Sequence, residues 1–366
     1  MRANHGTFAP RLPERLDGNI IARAIALALA FVHLLALVSL VTILFTVAAS
    51  AAENDPTCGA RDLVGELRQK DPAAYARLRA EGARVVNSQH RLWKIEKDGM
   101  KPSWLLGTMH LTDPRVTELP SEARTVFEAA DKLIVESDEI LDEQIAAAKL
   151  FARPDLMMFT DGKTITDYLS EDDKKVLEEG LLARGIPLAS IVTMKPYIVA
   201  SMVSLTTCEL SRKASGTPFL DKKLALEADE AGKDVVGVET LAEQIEAMAS
   251  LPIEFHVRAL VTAVRYPDYT ANMMETTLNL YLDSQIGLVF PAGAYFAPEK
   301  NAVDFKDMAL FEEKLITIRN RNMAERAAPI LEEGNVFMAV GALHLMGDQG
   351  IVELLRRKGF SLSPVI

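Results

Sequence analysis

The sequence predicts an α/β fold: a central, mostly β-sheet core with flanking helices and a large helical insertion. Three observations predict it. Short apolar runs bounded by turn residues alternate with longer amphipathic segments. The motif Gly-x-x-His follows such a run twice, at Gly107–His110 and Gly341–His344. No Pro/Gly/Ser-rich linker divides residues 90–366, which favours one domain over two.

Residues 1–52 stand outside that domain. Residues 24–49 carry no charge; Arg2, Arg11, Arg15 and Arg23 precede them and Ser50-Ala51-Ala52 follows. A basic leader, an apolar stretch and small residues describe a secretory signal peptide. The stretch also exceeds the roughly 20 residues that span a bilayer, so a retained N-terminal anchor is the alternative. Either places the rest of the chain across the membrane. It is then periplasmic or secreted if cleaved, or anchored to the inner membrane and facing the periplasm if not. Membrane contact is expected only through this segment.

Residues 53–90 read as a helical arm, with helix over 61–83 broken near Asp71-Pro72. Residues 91–96 alternate like a strand, Asp98-Gly99 marks a turn, and residues 103–106 return, which makes a hairpin. Ser121 is the expected N-cap of a helix through Ala130. Residues 132–135 form a strand ending at Glu136. Residues 141–231 are mostly helical and form the insertion. Within it Ser170 with Asp173 opens a helix that Gly185 and Pro187 close, Pro196 interrupts the next apolar segment, and 218–231 is amphipathic. Residues 234–238 are a strand ending at Glu239. Helix follows over 240–288 and 307–331, then a strand over 335–340 into the second Gly-x-x-His. A last helix, 347–358, stops at Gly359.

Composition excludes several function classes. The chain is 49% hydrophobic and 25% charged, an ordinary globular balance rather than that of a disordered chain. The net charge of −11 gives no basic face for nucleic acid. There are two cysteines, Cys58 and Cys208. In an oxidising compartment they form one disulfide; otherwise they are two separate buried thiols. Neither has a neighbouring Cys, which excludes a zinc ribbon.

The chemistry lies at the strand ends. The chain order is strand–His110, strand–Glu136, strand–Glu239, strand–His344, which suggests two related halves with the second inverted. Both glutamates are followed by Glu-Gln, at Glu143-Gln144 and Glu243-Gln244. Ligands in open α/β sheets collect at the carboxyl ends of strands. Two imidazoles and a carboxylate form an open metal set that leaves room for water. His110, His344 and Glu136 are therefore the candidate metal ligands, and a second carboxylate, Glu239, is the candidate proton acceptor. The alternatives are packing histidines and, for Glu136, a carboxylate satisfying free amides at a helix start. His90 and His256 lack the context and read as surface or packing residues. No His-Glu-x-x-His, Gly-x-Ser-x-Gly or Gly-x-Gly-x-x-Gly occurs, so zincin, serine hydrolase and dinucleotide readings have no support.

These residues resemble the TraB/GumN family. The resemblance rests on Trp93-Lys94-Ile95, Leu106-Gly107-Thr108-Met109-His110-Leu111, Val135-Glu136, Gly237-Val238-Glu239-Thr240 with Gln244, Arg319-Asn320 with Met323, and Val340-Gly341-Ala342-Leu343-His344-Leu345. It covers roughly residues 58–363. The family is similar to the animal Tiki proteins, metal-dependent proteases acting on extracellular signals. The resemblance implies a divalent cation (manganese, cobalt or zinc) at His110, His344 and Glu136. It also implies that Arg319 and Asn320 face the site, and it marks Asp221 as a further candidate. An Arg there could polarise a carbonyl and an Asn could donate to an oxyanion.

Two readings of function follow. The first is an exported metal-dependent hydrolase, peptidase-like, with a polypeptide substrate. The second is a non-catalytic exported protein that binds haem or a polypeptide partner. Met273, Met274 and Met308 could support haem, although Met at helical spacing is more often core.

Overall fold

The computed structural model describes residues 58–299 and 305–366. The expected signal peptide or anchor lies outside the described residues. Six strands form one mixed sheet: β1 Leu92–Glu96, β2 Ser103–Thr108, β3 Lys132–Val135, β4 Asp234–Gly237, β5 Val336–Gly341 and β6 Ser361–Pro364. Their spatial order is β4-β3-β5-β2-β1-β6. β4, β3, β5 and β2 run parallel, while β1 is antiparallel to both β2 and β6. The α/β expectation holds.

Period-2 alternation splits the strands between two cores. Leu92, Leu106, Leu133, Val135, Phe337 and Ala339 face one cluster, with Phe127, Leu220, Leu224 and Leu278 of flanking helices. Trp93, Ile95, Leu105, Ile134, Met338 and Val340 face the other, with Met323, Leu331, Val352 and Leu355. Burial on both faces explains why β3 and β5 read as continuous apolar runs. A third cluster, built from Ile165, Leu177, Leu181, Val199 and Leu260, joins helices between β3 and β4 to the helix Ile253–Arg265.

Most sequence-derived elements recur within one or two residues. The hairpin turns at Gly99, whose φ of +80° suits glycine. Ser170 accepts from the Asp173 amide, as expected. Pro196 opens the helix Pro196–Val203 rather than breaking one, because its missing N–H costs nothing in a first turn. One cap expectation is corrected, and one strand was missed. Ser121 is the first helical residue, with Pro120 at the cap position and no side-chain cap bond. Ser121 Oγ instead donates to Glu122 Oε2 at 3.0 Å. β6 was not anticipated, because Ser361-Leu362-Ser363-Pro364 carries one apolar residue and exists as a strand only by pairing with β1. Among the described residues, no single helix is long and apolar enough to cross a membrane.

Cys58 and Cys208 are joined in a disulfide with their Cα atoms 5.9 Å apart. It links the segment ahead of the helix Leu63–Lys70 to the first turn of the helix Thr207–Ala214. A disulfide indicates an oxidising compartment.

Candidate functional site

Parallel pairing of β4, β3, β5 and β2 brings the ends of all four strands to one edge of the sheet. Glu239, Glu136, His344 and His110 follow those strands in that spatial order. The chain order His-Glu-Glu-His thus becomes two adjacent acids beside two adjacent imidazoles.

The glycines of the two Gly-x-x-His motifs have separate reasons to be glycine. A Cβ on Gly107 would stand 3.0 Å from the Cα and Cβ of Ala342, so the first motif packs directly on the second. A Cβ on Gly341 would stand 3.1 Å from Glu136 Oε1, 3.4 Å from His344 Cδ2 and 3.7 Å from His110 Nε2. It would project into the space those three side chains enclose. The Gly341 N–H donates to Glu136 Oε1 at 2.7 Å.

Both imidazoles present Nε2 to one oxygen. His110 Nε2 is 3.7 Å and His344 Nε2 is 3.8 Å from Glu136 Oε1. Each Nδ1 is occupied from behind: His110 by Asp221 Oδ2 at 2.9 Å, and His344 by Asn320 Oδ1 at 2.6 Å. Asp221 also accepts from the Thr108 hydroxyl at 2.6 Å. An Nδ1 held by an acidic or amide oxygen is the usual support of a metal-ligating histidine. His344 is buried, whereas the His110 side chain is 52% exposed, so the site opens on the His110 side. Phe219 lines that side, its ring edge-on to His110 at 5.7 Å.

The acids are bridged by Arg319. Its Nη2 donates to Glu136 Oε2 at 2.8 Å and to Glu239 Oε2 at 2.7 Å, and its Nε donates to both Glu239 oxygens at 3.1 Å. Gln244 Nε2 adds a bond to Glu136 Oε2 at 3.0 Å. The two oxygens of Glu136 are therefore divided: Oε1 faces the imidazoles and Oε2 faces Arg319 and Gln244. The two Glu-Gln echoes also diverge. Gln244 enters the site, while the Gln144 backbone N–H donates to Asp142, the N-cap of the helix Glu143–Phe151.

Electrostatics separate the two carboxyls. Burial opposes charge on Glu136, yet His110, His344 and Arg319 together hold it well below the usual carboxylate range. Burial raises Glu239, and Arg319 only partly offsets this. Asp221 holds the His110 ring protonated well above its ordinary range, against its own desolvation. Burial pushes His344 down to about 4.

Every residue singled out from sequence at this site is present at one locus, with Asn320 behind His344 rather than in contact with the acids. Sequence reasoning did not single out Gln244 as a contact. Asp221 carried only a weak signal, because its register on the amphipathic helix Leu220–Glu230 does not announce its partner. His256 is a packing residue, buried with Nε2 2.9 Å from Met248 O. Met273 and Met274 pack into two hydrophobic clusters, so packing accounts for them.

Among the described residues, no group of three or more His, Cys, Asp or Glu side chains stands close enough to hold a metal ion as it is. The two imidazoles stand 3.7 and 3.8 Å from Glu136 Oε1.

Four parallel strands of a mixed sheet, whose ends bring two histidines and two glutamates together in this way, define an α/β protein with a polar site at the carboxyl edge of those strands. The chain belongs to the TraB/PrgY/gumN family, which it matches over residues 91–364. It is 24% identical over 315 residues to Metalloprotease TIKI1 of Xenopus tropicalis, covering 74% of this chain and 60% of the relative. It is 25% identical over 315 residues to Metalloprotease TIKI1 of Homo sapiens, covering 74% and 61%. It is 22% identical over 278 residues to the uncharacterized protein YbaP of Escherichia coli (strain K12), covering 74% and 96%. The chain thus spans about 60% of the length of the Tiki relatives. No solved structure matches it.

Proposed function

We propose that this chain is an exported metal-dependent hydrolase that cleaves polypeptides. The observation that carries the reading is the convergence of His110 Nε2 and His344 Nε2 on Glu136 Oε1, with both Nδ1 atoms already committed. The residues suit a divalent cation: a mixed set of two nitrogens and one oxygen accepts manganese, cobalt or zinc. His110, His344 and Glu136 would hold it. When bound, such a cation supplies Lewis acidity and makes water acidic enough to attack at neutral pH.

The remaining roles fall to other side chains. Glu239 has its pKa raised while Glu136 has its pKa lowered, the separation expected of a proton acceptor beside a permanently charged partner. Glu239 takes the proton of the attacking water. Arg319 orients both acids and places positive charge where a carbonyl oxygen becomes negative. Asp221 and Asn320 fix ring orientation. Names of relatives at about 24% identity support a protease-like activity, and the disulfide supports export.

The test is elemental analysis of the purified full chain beside the His110→Ala/His344→Ala double variant, followed by peptide hydrolysis. The expected result is one divalent cation per chain, lost in the double variant together with activity. Absence of stoichiometric metal, or peptidase activity that survives His110→Ala, overturns the reading.

A further inference from the structure

The turn that carries His110 is gripped on both sides by residues of two consecutive helices. The Leu111 N–H donates to Met109 O at 2.8 Å, an i→i+2 turn centred on His110. On the near side Asp221 binds both Thr108 and the His110 ring. On the far side stands Glu209. Its oxygens accept from the Thr112 N–H at 2.9 and 3.2 Å and from the Thr112 hydroxyl at 2.7 Å. Arg212 completes the cluster, donating to Thr112 Oγ1 at 3.0 Å and to Glu209 Oε2 at 3.1 Å.

Glu209 and Asp221 belong to consecutive helices, Thr207–Ala214 and Leu220–Glu230. Glu209 directly follows Cys208, so the disulfide to Cys58 holds its first turn in place. Past Cys58 the chain is pinned in turn: Arg61 N–H donates to Asn272 Oδ1 at 2.8 Å and Leu63 N–H to Thr276 Oγ1 at 2.9 Å.

Glu209 is 1% exposed. A carboxylate taken that far from water is costly unless its oxygens are met. Here both oxygens bond to Thr112, two positions beyond His110, and Arg212 adds a bond to Oε2. Asp221 can set the rotation of the imidazole, but it cannot fix the backbone that follows the ring. Glu209 does that, and it does so through main-chain and hydroxyl hydrogens, which fix direction as well as distance.

We propose that Glu209 is a positioning residue for His110: its grip on Thr112 keeps His110 Nε2 aimed at Glu136. The proposal rests on the metal-hydrolase reading above and deepens it.

The test uses full-length protein and cobalt(II) chloride as the probe, titrated by visible absorption into wild type, Glu209→Ala, Glu209→Gln and His110→Ala. Urea unfolding is measured in parallel, as are 15N-histidine ring spectra of the metal-free proteins. Glu209→Ala is expected to weaken cobalt binding about tenfold or more. It should also blur the Nδ1–H signature of the His110 ring while leaving that of His344 sharp. Glu209→Gln keeps an acceptor oxygen and should fall between. Where Glu209→Ala does not fold, Glu209→Gln alone decides. Lower stability with unchanged cobalt affinity and an unchanged His110 signature would reduce Glu209 to a structural residue and overturn the proposal. If His110→Ala binds cobalt as wild type does, the metal reading fails instead, and the His110 ring spectrum alone judges Glu209.

Discussion

Asn320 Oδ1 lies 2.6 Å from His344 Nδ1. The Asn320 amide nitrogen donates to Gln349 O at 2.9 Å, which sets the orientation of the amide and leaves its oxygen as the acceptor. His344 therefore carries its proton on Nδ1 and turns a bare Nε2 toward Glu136. Asn320 is fully buried, and His344 nearly so, which makes this pair a fixed part of the site.

Asn320→Ala should weaken divalent-metal affinity by about 10–100-fold, as loss of a ligand's supporting partner usually does. It should also destabilise the fold by roughly 1–3 kcal/mol, because the His344 Nδ1–H is left unpaired in the interior. Isothermal titration with manganese or cobalt, paired with urea unfolding, separates the two effects. Unchanged affinity would mean that Asn320 supports packing only.

Gly341→Ala places a methyl group 3.1 Å from Glu136 Oε1 and 3.7 Å from His110 Nε2. The expected outcome is loss of metal binding, with a destabilisation of about 1–3 kcal/mol from overpacking. Elemental analysis beside a thermal melt checks it. A folded variant that keeps its full metal complement would show that the enclosed space is not the cation's position.

Arg319 is the only cation bonded to both Glu136 and Glu239 among the described residues. Arg319→Met should cost about 3–5 kcal/mol by leaving buried Glu239 without its cation and removing one of the partners of Glu136. Arg319→Lys should rescue little, since an ammonium cannot reproduce the forked contacts to two carboxylates. Peptide hydrolysis should fall by about 10²-fold in the lysine variant if it folds. Wild-type turnover in Arg319→Lys would remove the guanidinium from the mechanism.

Glu243 gives a pH dependence outside the candidate ligand set. The Arg326 guanidinium holds its carboxyl down to about 2, helped by the Thr240 N–H of the capping box. A carboxyl lowered on folding contributes stability that is complete above its unfolded value of about 4.3 and is lost as pH falls through about 2. Carboxyl 13C titration should place the Glu243 midpoint near 2, and Arg326→Ala should move it up toward the ordinary value. A midpoint near the ordinary value in wild type would contradict the pairing.

The local layer of this protein was readable in advance. β3 and β5 announce themselves as apolar runs, the Asp98-Gly99 turn fixes the β1–β2 hairpin, and the Gly-x-x-His motifs and strand-end glutamates stand out by position. β6 was missed and the Ser121 cap misjudged for the same reason. One depends on a distant partner strand and the other on how the chain enters the helix, and neither is encoded in a short window. Arg319-Asn320 shows the limit from the other side. The two residues are adjacent in sequence, yet one bridges the acids and the other holds His344, a division fixed by the helix Ile318–Leu331 and its neighbours.

By itself the sequence determined which side chains could do chemistry and that two histidines and two glutamates among them would sit at the ends of strands, because strand ends are set by local pattern and turn residues. Only the tertiary structure decided that the four strands run parallel and adjacent, so that acids meet acids and imidazoles meet imidazoles at one edge. It alone also paired Asp221, Glu209 and Asn320 with their targets. Hydrogen bonds and charge pairing depend on distance in space, and residues 97 to 111 positions apart, such as Thr112–Glu209 and His110–Asp221, become neighbours only after the sheet and its helices have packed.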